Sequence, residues 1–155
     1  MTEDARFEDG ALRPLRLRAI DEDDVRVIAT LVQDAVFPAT EMRWDRTRRR
    51  FALLLNRFRW EEVSDQGAPE RVQTVLAIDD ALAVRSQGID RRDPDLVLSI
   101  LSVSWRAGED GAGWLTLMLA GDGAIEVAVE ALELTLRDVT RPYVAPSGQR
   151  PSHPE

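Results

Sequence analysis

EMRWDRTRRRFALLLNRFRWEE (41–62) is the densest local pattern in the chain: a run of arginines, an unbroken apolar stretch, then arginine alternating with aromatic residues. Met42 and Trp44 alternate with charged residues, which predicts a short strand; residues 46–49 predict a turn, and 50–60 a long strand. The FALLL centre (51–55) is apolar at every position, as in the middle of a sheet covered on both sides.

Working outward, Leu15 and Leu17 alternate with Arg16 and Arg18 in a short first strand. Asp21 to Asp24 then place carboxylates where they can cap free amides and meet the positive end of a helix dipole. Val25, Ile28, Val32 and Ala35 recur at three- and four-residue steps and form the apolar stripe of that helix. Near residues 36–38 the chain must leave the helix and extend. Downstream, 64–70 reads as a loop; Val72, Thr74, Leu76 and Ile78 alternate, Asp79-Asp80 turn, and Leu82 and Val84 alternate again.

At Asp93 the period changes. Asp93 suits a helix N-cap and Pro94 the first helical position. Leu96, Val97, Ile100 and Leu101 form a wide stripe, so 93–101 is expected to be a short helix leading into a strand that ends at Trp105; one long strand is the competing reading. Leu115, Leu117 and Leu119 alternate, Gly121-Asp122-Gly123 turn the chain, and Ile125, Val127 and Val129 alternate back. The next apolar set, Leu132, Leu134 and Leu136, has the opposite parity, which requires a bulge or bend near Glu130-Ala131.

These elements predict an α+β domain, a mostly antiparallel curved sheet or partial barrel with two short helices. Strand, capped helix, strand and hairpin occur over 12–78 and again over 81–137, with VIATLV (27–32) matching LVLSIL (96–101) in type and order. A duplicated β-α-β-β unit is one reading, and convergence of two ordinary amphipathic patterns is the other. The single domain is expected over 11–141, between disordered tails at 1–10 and 142–155 that offer little to bury.

Composition narrows the function. At 155 residues and 44% hydrophobic, the chain fits one domain, which at this size hides roughly 70% of its unfolded surface. A net charge of -8 opposes attraction to phosphate polymers and anionic lipid, so neither nucleic acid nor a membrane is an expected partner. Cysteine is absent, which removes disulfides, thiolate metal sites and cysteine nucleophiles. The beginning, MTEDARFEDG, is acidic where a signal peptide is basic, and no apolar run approaches the roughly 20 residues that span a bilayer, so a cytoplasmic location is expected. Apart from His153 every basic residue is Arg. That reads as the codon habit of a GC-rich genome, and arginine numbers alone therefore carry little weight.

The search for chemistry returns little. His153 lies in the expected tail, between Ser152 and Pro154. GEDGAG and GDG fit neither a dinucleotide-binding fingerprint nor a phosphate-binding loop. Asp90, Asp93 and Asp95 lack calcium-loop spacing, and Glu126, Glu130 and Glu133 read as a solvated sheet face. No catalytic, cofactor-binding or metal-ligating residue is assigned, and the reading leans away from an enzyme. The remaining candidate is a binding surface made of Trp44, Arg57, Arg59, Trp60 and Arg85. Alternation puts Phe58 and Trp60 on one face and Arg57 and Arg59 on the other, and 41–62 carries seven Arg against four acids. The expected role is protein interaction, with an unknown protein or a second copy of the chain as partner. The alternative is a small-ligand or polyanion binder using Arg57, Arg59 and Arg85.

RRFALLLNRFRWE (49–61), LAVRSQGIDRRDPDLVLSIL (82–101) and GDGAIEVAVE (121–130) resemble the DUF2948 proteins of alphaproteobacteria. The resemblance covers most of the expected domain. It implies an α+β domain of unknown function in a bacterial cytoplasm and supplies no catalytic residues.

Overall fold

A computed structural model describes residues 14–60, 70–90 and 92–144. The 41–62 stretch forms a hairpin, as its pattern predicts: β3 (Met42–Asp45) and β4 (Arg50–Phe58) pair antiparallel from Met42↔Leu53 to Asp45↔Arg50, across a turn at 46–49. Phe51, Leu53 and Leu55 are buried, whereas Ala52 and Leu54 on the other face are only half-buried. One side of the apolar run is therefore core, and the other is not fully covered as expected.

The remaining strands are β1 (Arg16–Ala19), β2 (Val36–Pro38), β5 (Glu70–Ile78), β6 (Ala81–Gln87), β7 (Val97–Ala107), β8 (Gly113–Leu119), β9 (Ala124–Val129), β10 (Leu134–Asp138) and β11 (Tyr143–Val144). All pairings are antiparallel, in the order β1-β10-β5-β4-β2-β7-β8-β9-β6, with β3 added on β4 and β11 on β5. Three-residue β2 joins the two halves of the sheet, pairing Val36 with Asn56 of β4 and 36–38 with 97–99 of β7. The sheet does not close: β1 and β6 end the strand order, and among the described residues the outer edge of β3 pairs with no other strand.

The helix α1 (Glu22–Leu31) is capped as its acids predict. Asp21 Oδ1 accepts a hydrogen bond from the Asp24 amide at 2.8 Å, and Glu22, Asp23 and Asp24 fill the first turn. Its buried stripe, Val25 and Ile28 continued by Val32, joins inward residues of all the long strands in one core; β6 contributes buried Ala81, with Val84 packed against the core. Residues 39–41 add one turn of 3-10 helix.

The second predicted helix does not form. Residues 97–107 are a single strand, and Asp93 Oδ1 accepts from the Asp95 amide at 2.9 Å in a local turn instead of capping a helix. The misleading period has a clear cause. Leu98 and Ile100 point inward, the register of β7 against β8 shifts between Ile100 and Ser102, and Val103 then continues the inward set at odd parity. Val97 and Leu101, which complete the apparent helical stripe with Leu96 and Ile100, are exposed, so that stripe mixes both faces of one strand. The β-α-β-β correspondence consequently fails where it was closest, since 27–32 lies mostly in a helix and 96–101 mostly in a strand.

The parity break between β9 and β10 is real but needs no bulge inside a strand. Residues 130–133 connect β9, paired with β8 and β6, to β10, paired with β1 and β5. Ile125, Val127, Val129, Leu132, Leu134 and Leu136 are all buried. Strand β11 pairs Tyr143 with Arg71 and Val144 with Glu70, so the sheet reaches past residue 141, the expected end of the domain. The rest of both expected tails, His153 included, lies outside the described residues.

Candidate functional site

The five predicted surface residues do not converge. Arg57 shares the inward face of β4 with Phe51, Leu53 and Leu55 and is fully buried, 0% exposed. It is therefore not on a solvated face, and Phe58 beside it is buried as well. Its partners come from two other strands. Arg57 Nη2 donates to both Asp138 carboxylate oxygens at 3.0 Å, and Nε reaches Thr74 Oγ1 at 3.1 Å and Asp138 Oδ1 at 3.2 Å. The Thr74 hydroxyl donates to Asp138 Oδ1 at 2.8 Å, and the Leu15 amide to Asp138 Oδ2 at 3.0 Å. Burial of an ion pair is tolerated when such additional bonds satisfy the remaining polar atoms. The network closes one end of the core and ties β1, β4, β5 and β10 together.

Arg59 is also nearly buried and donates from Nη1 to Glu70 Oε2 at 3.2 Å. Trp60 packs edge-to-face on Phe58, with ring centroids 4.7 Å apart, and its indole N–H donates to the Gln33 carbonyl at 3.0 Å, just beyond α1. Arg85 is exposed on β6, donates to Glu126 Oε2 at 2.7 Å and lies 4.6 Å over the Trp114 ring. The three arginines of the polyanion reading thus occupy three separate places, each with a carboxylate. The glutamates weighed as a carboxylate pair are likewise engaged: Glu126 with Arg85, Glu130 with Arg49, Glu133 with Arg18. Among the described residues, no group of three or more His, Cys, Asp or Glu side chains could hold a metal ion, and no helix is long and apolar enough to cross a membrane.

Of the five, Arg85 borders only a small hollow of about 100 Å³ beside Glu126, whereas Trp44 lines a larger one. Between β3 and β6 a groove of about 280 Å³ is walled by Met42, Trp44, Arg46, Phe51, Val84 and Ile125. It continues along β6 into a second hollow of about 330 Å³ that shares Trp44, Arg46 and Val84 and adds Ala81, Leu82 and Arg49. The walls are the edges of β3 and β6 that, among the described residues, pair with no other strand. At one end the Ala81 amide donates to the Arg49 carbonyl at 2.9 Å, which ties the start of β6 to the turn between β3 and β4. Sequence could supply Trp44 and Val84 as alternating strand residues, but nothing local reveals that their strands face each other unpaired.

Fold and groove together define an open, mostly antiparallel sheet domain with an edge-lined cleft. A family model described as a protein of unknown function (DUF2948) matches residues 15–153. The chain belongs to that family, as the motifs at 49–61, 82–101 and 121–130 suggest. Comparison with curated proteins and with solved structures found no significant match.

Proposed function

We propose that this chain is a non-enzymatic cytoplasmic binding domain that takes an extended segment of a partner protein into the groove between β3 and β6. The observation that supports this reading is the pair of strand edges, unpaired among the described residues, that wall one apolar-floored cleft. An exposed strand edge offers a row of amide and carbonyl groups to an incoming strand, and side-chain pockets beside it supply selectivity. Here the pocket floor is aromatic and aliphatic, from Trp44, Phe51 and Ile125, suited to one large apolar side chain. Arg46 stands exposed at the rim with no carboxylate partner among the described residues. It would favour an acidic residue next to the apolar anchor.

A displayed library of short linear peptides, panned against the intact chain, tests this. Enriched peptides should alternate apolar and polar residues and carry an acid beside the anchor. Trp44→Ala should weaken them by more than about tenfold, the effect of losing roughly 1.4 kcal/mol of contact. Arg46→Glu, on the exposed rim, should reverse the selected charge while leaving the fold intact. Peptides that bind both variants as well as the parent would overturn the assignment. Sedimentation showing a dimer that Arg46→Glu dissolves would replace the partner protein by a second copy.

A further inference from the structure

A separate hollow shares no lining residue with the groove. On the outward face of β1 and β10, Arg16 stands directly opposite Arg137, and Arg18 opposite Thr135. On β5, Val75 sits beside Arg137 in register, and Arg50 of β4 completes the rim of a hollow of about 380 Å³. Arg18 is held by Glu133 at 3.0 Å and Arg50 by Asp79 at 3.5 Å. Among the described residues, neither Arg16 nor Arg137 has a carboxylate partner. Four guanidiniums against two carboxylates leave a local charge of +2 on a chain of -8.

Like charges directly opposed across an antiparallel pair destabilise it, because the side chains start only about 5 Å apart. This fold places two arginines in that relation although acids outnumber bases in the chain as a whole, 28 to 20. An anion seated between them would remove the repulsion and accept from both forks at once. We propose that this hollow binds the phosphate group of a small soluble molecule, with Arg16 and Arg137 as its direct ligands, the Thr135 hydroxyl as a third donor and Arg18 and Arg50 as flanking charge.

Three observations point to a phosphate on a small molecule. Two guanidiniums from two strands and a hydroxyl line the hollow, a donor set that matches three terminal oxygens better than the two of a carboxylate. The hollow falls at the lower end of small-ligand pockets. Finally, a polymer must run beyond the local +2 across an acidic surface, whereas a small dianion is shielded from distant carboxylates by a Debye length of about 8 Å.

Titration of the full chain with pyrophosphate, followed through the arginine side-chain N–H signals, tests the site. Saturable shifts should appear at Arg16 and Arg137 and not at Arg85, which serves as the internal control on the opposite part of the sheet. Arg16→Gln and Arg137→Gln should each weaken binding by about tenfold, as loss of a charge-assisted hydrogen bond implies. Both positions are exposed, so the variants should melt with the parent. Arg85→Gln should leave binding unchanged. Shifts equal at all three arginines, or binding insensitive to both substitutions, would overturn the proposal. So would retention on phosphatidylglycerol vesicles or single-stranded RNA without a response to pyrophosphate, since a lipid surface or a polymer would then be the ligand.

Discussion

Strand β10 carries both extremes of this molecule's electrostatics on adjacent residues. Asp138 points inward, where Arg57, Thr74 and the Leu15 amide satisfy it almost without water. Arg137 points outward, opposite Arg16, with no carboxylate among the described residues. Both side chains owe their surroundings to strands distant in sequence; Asp138 is 81 residues from Arg57. The inward pair couples charge to folding, because separating it strands a charge in the core. The outward pair couples charge to solvent, where it costs little and remains available to a ligand.

The largest expected effect comes from breaking the inward pair. Asp138→Ala leaves the Arg57 guanidinium buried and uncompensated and should destabilise the fold by about 3–5 kcal/mol in urea unfolding. The double variant Arg57→Met/Asp138→Leu removes both charges and should recover most of that loss. A single variant costing under about 1 kcal/mol would mean that water replaces the lost partner, and the contrast with Arg137 would collapse.

Next in size is Thr74→Val, which keeps the shape but deletes the hydroxyl that donates to Asp138 and accepts from Arg57. The charged groups then lack a bond in the core, and a loss of about 1–3 kcal/mol is expected from the same measurement. Asp21→Ala supplies an exposed scale for comparison, since its carboxylate serves one amide three residues away. Thermal unfolding should register about 1 kcal/mol, as for other helix caps. Arg137→Gln should be the smallest, within about 0.5 kcal/mol of the parent at low salt and tending to a gain as the repulsion with Arg16 disappears. A large loss there would show that the outward face holds charge as firmly as the inward one.

Legibility followed the same division. Asp21 and the Val25, Ile28, Val32 stripe predict α1 because capping and helical periodicity act within one or two turns. The β3–β4 hairpin, the Asp79-Asp80 turn and the Gly121-Asp122-Gly123 turn were equally readable. Asp122 has φ 68° and Gly121 φ 81°, the left-handed values that such residues tolerate best. The 93–101 segment misled because apolar Val97 and Leu101 sit on the exposed face of the strand and complete a false helical stripe, and only pairing with β2 and β8 distinguishes strand from helix. Among the five candidate surface residues, Trp44 proved to line the groove, while Arg57 and Arg59 turned inward.

What the sequence determined by itself was local: where the chain turns, which stretches alternate, where one helix begins, and that the cores of β9 and β10 lie on opposite parities. The tertiary structure alone decided which arginines are buried, which two face each other, and which edges remain unpaired among the described residues. Each of those depends on the register between strands tens of residues apart. A side chain's periodicity fixes the face of the strand it occupies, but its electrostatic energy is set by what another strand brings to the same place.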